Sequence, residues 1–154
     1  MIKKIILLSF IIVSLNNCGY TPIYSKKNLD FEIEIVTSTG EAKVNKILFN
    51  KLNIYNDNPN AQKTFKILLD SKTTKSTITK DKKGNPTQFS INLLITMKIT
   101  DDMNNTVETK FSESSTYDNS NNKFDLRKYE DNLIKNMTEK IFSEMILFIQ
   151  TNNP

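Results

Sequence analysis

Cysteine, histidine and paired carboxylates carry much of protein chemistry, and this chain of 154 residues holds one Cys, no His and 17 acidic residues. Without histidine, neither a His-based triad nor the usual zinc ligand set can be assembled, and the single Cys18 has no disulfide partner within the chain. Carboxylates remain. Glu32 and Glu34 fall on one side of a predicted strand and Asp101-Asp102 sit in a turn. Such pairs are ordinarily solvated, and no neighbouring pattern would tune a pKa for proton transfer. The inventory points to a non-enzyme that needs no cofactor and no metal. Two groups stand out: Cys18, directly behind an apolar run, and the cluster Lys80, Lys82 and Lys83.

Cys18 takes its meaning from what precedes it. Lys3 and Lys4 form a positive n-region, and Ile5 to Leu15 supply an apolar run long enough for a secretory h-region but too short for a bilayer-spanning helix. Export is expected. A lone cysteine in an exported protein raises the question of an intermolecular disulfide or a free thiol. Leu15-Asn16-Asn17-Cys18-Gly19 resembles instead a bacterial lipoprotein cleavage site, where the sulfur becomes a thioether to diacylglycerol and Cys18 becomes the first mature residue. Asn17 departs from the Gly, Ala or Ser usual before the cysteine. One acyl chain, at ~0.8 kcal/mol per buried CH₂, holds a protein only reversibly, whereas several chains make the anchor permanent. The alternatives are an ordinary signal peptide beside a coincidental cysteine, or an uncleaved anchor; charge, length and position together favour lipoprotein processing. Sorting usually retains lipoproteins with Asp after the cysteine in the inner membrane, so Gly19 makes the periplasmic side of the outer membrane the expected location.

Removal of 17 residues leaves 137 of 154, one domain with a single core, and the net charge falls from +4 to +2 as Lys3 and Lys4 leave. A balance so small, without a basic stripe and aromatic platforms, does not suggest a nucleic-acid partner. The expected organisation is a signal peptide over 1–17, a lipidated tether over 18–29, a domain over 30–150 and a tail over 151–154.

Hydropathy patterning predicts the elements of that domain. Phe31, Ile33 and Ile35 alternate with glutamates in a half-buried strand over 30–36. Ser38-Thr39-Gly40-Glu41 has the spacing of a capping box, and Val44, Ile47, Leu48 and Leu52 follow at helical intervals. Two long strands, from Lys63 to about Thr79 and from Thr87 to Asp101, flank the turn-rich Lys80–Pro86 and should form a hairpin. The second places Phe89, Ile91, Leu93, Ile95, Met97 and Ile99 on one face and Ser90, Asn92, Thr96 and Lys98 on the other. A more polar strand from Thr106 to Tyr117, with Val107, Phe111 and Tyr117 inward, suits a sheet edge. From Asp125, expected as N-cap, the positions Leu126, Tyr129, Leu133, Met137, Ile141, Met145 and Phe148 define a helix to about Gln150. The sum is an α+β fold in the order β-α-β-β-β-α: a two-layer αβ sandwich with a four-stranded mixed sheet covered on one face by two helices. The other face should be solvated or meet a polar partner.

Cys18-Gly19-Tyr20-Thr21-Pro22-Ile23-Tyr24 resembles the mature N-terminus of one branch of the LPS-assembly lipoprotein family (LptE), and the length and element order are similar as well. The resemblance implies a plug inside a large outer-membrane β-barrel, the LPS translocon, assisting barrel assembly and LPS delivery. A barrel lumen is polar and solvated, so a plug needs hydrogen-bonding groups on its surface. Lys66, Asp70, Ser90, Asn92, Thr96 and Lys98 would offer them, although half-exposed strands carry such residues in any αβ sandwich. Lys80, Lys82 and Lys83, offset only by Asp81, form a positive knob suited to lipid A phosphates; tips rich in lysine also serve solubility and edge protection. The rival readings are an envelope lipoprotein that binds a small amphiphile between helices and sheet, or a subunit of another outer-membrane assembly machine.

Overall fold

The alternation of Phe31, Ile33 and Ile35 with Glu32 and Glu34 produces a strand, but that strand runs further than the pattern does. In the computed structural model, which describes residues 30–152, β1 spans Phe31–Gly40. The predicted leader, the Cys18 anchor, the tether and residues 153–154 lie outside the described residues. Helix α1 (Ala42–Leu52) and a 3₁₀ turn (Asn53–Tyr55) follow, then β2 (Lys63–Lys80), β3 (Pro86–Thr100), β4 (Thr106–Asp118) and helix α2 (Lys123–Asn152). The strands form one mixed sheet in the order β1-β2-β3-β4, with β1 parallel to β2 and the other pairs antiparallel. The expected sandwich is the observed one. Only the β1–β2 pair is parallel, and a parallel pair requires a crossover, here α1 with the 3₁₀ turn.

Helix α1 does not begin with the predicted capping box. Ser38 and Thr39 lie in β1, opposite Leu69 and Asp70, and Glu41 is an N-cap whose side chain makes no capping bond. The cap comes from another strand. Glu41 N–H donates to the backbone oxygen of Ser71 at 3.2 Å and to its Oγ at 3.0 Å. The Ser71 hydroxyl can in turn donate to Asn45 Oδ1 at 2.8 Å, and Asn45 Nδ2 donates to Thr39 O at 2.8 Å. Ser71 is buried, so the bonds of its hydroxyl are partly shielded from water, whereas the Asn45–Thr39 bond is exposed. Gly40, at φ +90°, makes the close approach that this clamp needs: a Cβ there would lie 1.8 Å from Ser71 O.

At the other helix the cap is local but displaced. Asn122, rather than Asp125, caps α2, its Oδ1 accepting from the backbone N–H of Phe124 at 3.1 Å and of Asp125 at 3.3 Å. Asp125 sits in the first turn, its carboxylate accepting from Asn122 Nδ2 at 2.6 Å and lying at the positive end of the helix dipole.

Both helices cover the same sheet face. Val44, Leu48 and Leu52 of α1, and Met137, Ile141, Met145 and Ile149 of α2, are buried with Phe65, Ile67, Leu93, Ile95, Met97 and Ile99 of the sheet. Each large aliphatic side chain so placed stabilises the fold by roughly 1.5–3 kcal/mol. Salt bridges tie the layers at their rims: Lys43–Asp131 and Lys51–Glu139 between the helices, at 2.7 and 3.7 Å, and Lys140–Glu113 from α2 to β4 at 2.5 Å. Two inward expectations are corrected. Val107 shares the covered face by register with Ile99 but remains 37% exposed on the edge strand, and Tyr129 is 52% exposed although it falls in the helical stripe.

Replacement of Gly40 by Ala should destabilise the protein by about 2–4 kcal/mol, since left-handed strain adds to a backbone collision. Gly84→Ala, with φ +86° and open space around it, should lose only about 1 kcal/mol. Chemical denaturation of the two variants checks the difference.

Candidate functional site

The uncovered sheet face is built by alternation on three registered strands. Its rows read Lys66–Thr100–Thr106, Leu68–Lys98–Glu108, Asp70–Thr96–Lys110, Lys72–Leu94–Ser112, Thr74–Asn92–Ser114 and Ser76–Ser90–Thr116. Lys66, Asp70, Ser90, Asn92, Thr96 and Lys98 therefore share one face, but they fall in two zones. Where β1 is present, the face carries charges of both signs in adjacent positions, and Thr39 Oγ1 donates to Asp70 Oδ1 at 2.6 Å. Beyond Ser71, where β1 has ended, the first row still carries Lys72, and Thr74, Ser76, Asn92, Ser90, Ser114 and Thr116 then make a neutral field of short hydrogen-bonding side chains. Leu68 and Leu94 also belong to this face, half-buried among polar neighbours, and interrupt the purely polar pattern.

The lysine knob sits at the far end. Lys80 closes β2 opposite Pro86, while Lys82 and Lys83 lie in the turn, and all three are exposed. That turn is tightly held. Asp81 Oδ1 accepts from the backbone N–H of Lys83 and of Asn85, each at 2.8 Å, and Asp81 Oδ2 accepts from Asn85 Nδ2 at 2.9 Å. These bonds, the Asn85 side chain's first, hold the Asp81 carboxyl below the usual range. The next hairpin repeats the device: Asp101 accepts from the backbone N–H of Met103 and of Asn105 and from Asn105 Nδ2. The left-handed fourth position is Gly84 in one turn and Asn104 in the other. The shared spacing Asp-x-x-Gly/Asn-Asn was the signal in the sequence for both turns. It presents the three lysines on a rigid support.

A second cluster escapes a reading by residue type. Lys75 lies on the covered face, opposite Ile91, and its Nζ donates to Glu130 Oε1 at 2.6 Å. Tyr117 Oη donates to the same carboxylate oxygen at 2.6 Å, and the ammonium stands 4.1 Å from the Phe89 ring centroid and 5.6 Å from that of Tyr117. Strand parity could have located it, because Lys75 is in phase with Ile67, Leu69 and Ser71. Desolvation raises the Glu130 pKa, but the bonds from Lys75 and Tyr117 outweigh it and the net shift is downward. For Lys75, desolvation lowers the value, and the hydrogen bonds to Glu130 and Tyr117 prevail to raise it. Burial, followed by the Glu130 bond, pushes the Tyr117 phenol up. The cluster pins the outer half of the hairpin to α2.

Among the described residues no group of His, Cys, Asp and Glu could hold a metal ion, and no helix is long and apolar enough to cross a membrane. No protein-family model matches the chain, and no curated protein matches it in sequence. Solved structures do resemble it. Rare lipoprotein B from Shewanella oneidensis is similar with a TM-score of 0.63 at 10% identity, over 79% of this chain and 96% of that one. A minor lipoprotein from Acinetobacter baumannii gives 0.56 at 11% identity, over 81% and 94%. Lipoprotein B from Nitrosomonas europaea gives 0.54 at 12%, over 76% and 81%. At such identities the similarity establishes a shared fold.

The ionised Glu130 contributes stability above its ordinary 4.5 and loses it as pH falls through the lowered folded value. Lys75, raised above 10.5, contributes below that value and loses it as pH rises through the folded one. Glu130→Gln should therefore lower stability by about 1–2 kcal/mol on the plateau between those limits. The deficit should shrink in acid, as thermal unfolding against pH would read.

Proposed function

We propose that this protein is an outer-membrane lipoprotein, anchored at the periplasmic side through acylated Cys18, that serves as plug and assembly partner of the LPS-translocating β-barrel and assists LPS insertion into the outer leaflet. The reading is of a non-enzyme. The observation that carries it is the one-sided sandwich: the apolar sheet face is consumed by two helices, and the opposite face offers short polar groups along three strands. A surface of this kind suits the solvated wall of a barrel lumen better than lipid. Its fold is shared with proteins named as lipoproteins in three bacteria.

Dimensions support the reading. β1 starts opposite Lys63, so the tether enters at the end of the sheet remote from the lysine tip. At ~3.3 Å per residue, β2 extends roughly 55 Å from that end to the tip. A hydrocarbon layer is about 30 Å thick, so a domain tethered at the inner leaflet and standing in a lumen could carry its lysines to the level of the outer leaflet. There the lysines would meet lipid A phosphates through point-charge contacts that salt screens. The amphiphile-binding alternative finds less support, because Leu93, Ile95, Met97, Ile99, Ile141, Met145 and Ile149 fill the layer between sheet and helices.

Affinity purification from detergent-solubilised membranes, followed by mass spectrometry, should recover a stoichiometric barrel of several hundred residues. A monomer carrying a hydrophobic ligand would contradict the proposal. Joint replacement Lys80→Glu, Lys82→Glu and Lys83→Glu should abolish salt-sensitive LPS binding while leaving the barrel complex intact; unchanged binding at low salt removes the tip as the contact.

A further inference from the structure

A sheet pairs with other chains through its free edges, and among the described residues this one has three. β1 is interrupted by a register shift between Ile35 and Thr37. The outer half of β2, which β1 does not reach, carries Lys72 and Lys80 and shifts register on either side of Thr79. Irregularities and lysines of this kind keep an edge from pairing. β4 lacks such an interruption: its 13 residues pair with β3 in one unbroken register and include no proline. Exposed apolar side chains flank it. Val107 lies on the strand itself, and Leu147 stands on the α2 face that reaches β4, seven residues after the Lys140 that binds Glu113.

Asp101 N–H donates to Asn105 O at 3.0 Å and Asn119 N–H to Thr87 O at 2.8 Å, one at each end of the β3–β4 ladder. By alternation along the register between them, odd-numbered residues of β4 bond to β3, and the backbone groups of Thr106, Glu108, Lys110 and Ser112 point outward. The side chains of these four are exposed and self-complementary. In an antiparallel pair of copies related by a two-fold axis at Thr109, Glu108 of each chain lies opposite Lys110 of the other, and Thr106 opposite Ser112. The register that joins the charges also brings the outward N–H and C=O groups face to face. An axis one residue earlier or later would set Glu108 against Glu108, or Lys110 against Lys110. On the helix side the same register sets Val107 against Phe111. We propose that β4 is a homodimerisation strand, joining two copies of this chain edge to edge through Thr106 to Ser112 into one sheet with four strands from each. The axis lies near the end of the sheet where β1 begins, and 12 residues separate Cys18 from Asp30, a reach of up to about 40 Å, so both proposed anchors can enter one leaflet. Pairing needs no barrel, and its failure would leave the plug reading as it stands.

The test is sedimentation equilibrium of the full-length protein in density-matched detergent micelles, where a reversible monomer–dimer equilibrium is expected. Glu108→Lys and Lys110→Glu, both at exposed positions, should each weaken association roughly tenfold by placing like charges opposite one another. An equimolar mixture of the two variants should recover it as a heterodimer in which every facing pair is again of opposite sign. Lys110→Pro, which removes an outward N–H and leaves the β3 ladder intact, should also yield monomer. A native chain that stays monomeric, a dimer indifferent to Glu108→Lys, or a mixture no tighter than its separate components would each overturn the proposal.

Discussion

Burial of one sheet face by two helices is the constraint from which the rest of this molecule follows. The crossover from β1 to β2 carries α1 over the sheet, and α2 returns over the same side after the hairpins. The aliphatic side chains of the central strands are thereby removed from water, at a gain that dominates folding. Among the described residues no element covers the opposite face. A sheet so built must present polar groups there, and its alternating strands do.

Length then divides the sheet. β1 stops at Gly40, where the Ser71 clamp turns the chain into α1, while β2 and β3 continue to the lysine turn. The outer hairpin is held by β4 and by the Lys75–Glu130–Tyr117 cluster beneath it, rather than by a fourth strand. A charged zone beside β1 and a hydroxyl-rich zone beyond Lys72 result. Rigid Asp-centred turns at both hairpins keep the long strands from fraying at their ends.

Much of this was legible from periodicity, and the failures have separate causes. The alternation from Phe89 to Ile99 and the helical spacing from Leu126 to Phe148 define elements whose burial the structure reproduces, apart from Tyr129. Ser38-x-x-Glu41 misled because a capping motif is local, whereas the bonds that start α1 come from Ser71, in the neighbouring strand. Asp125 and Asn122 compete within one turn for the same role, and composition does not separate them. Lys75 was hidden by its type: a lysine reads as solvent-facing, yet its stem can lie on apolar rings while its head finds a half-buried carboxylate.

The open polar face is the surface on which the functional account stands. Site-specific photocrosslinkers placed in cells at Asn92 and Ser114, on that face, and at Asn132 and Asn136, exposed on α2, test it most directly. Strong adducts to an outer-membrane barrel from Asn92 and Ser114 are predicted. Adducts from the helix positions alone, or none to any barrel, would contradict the account.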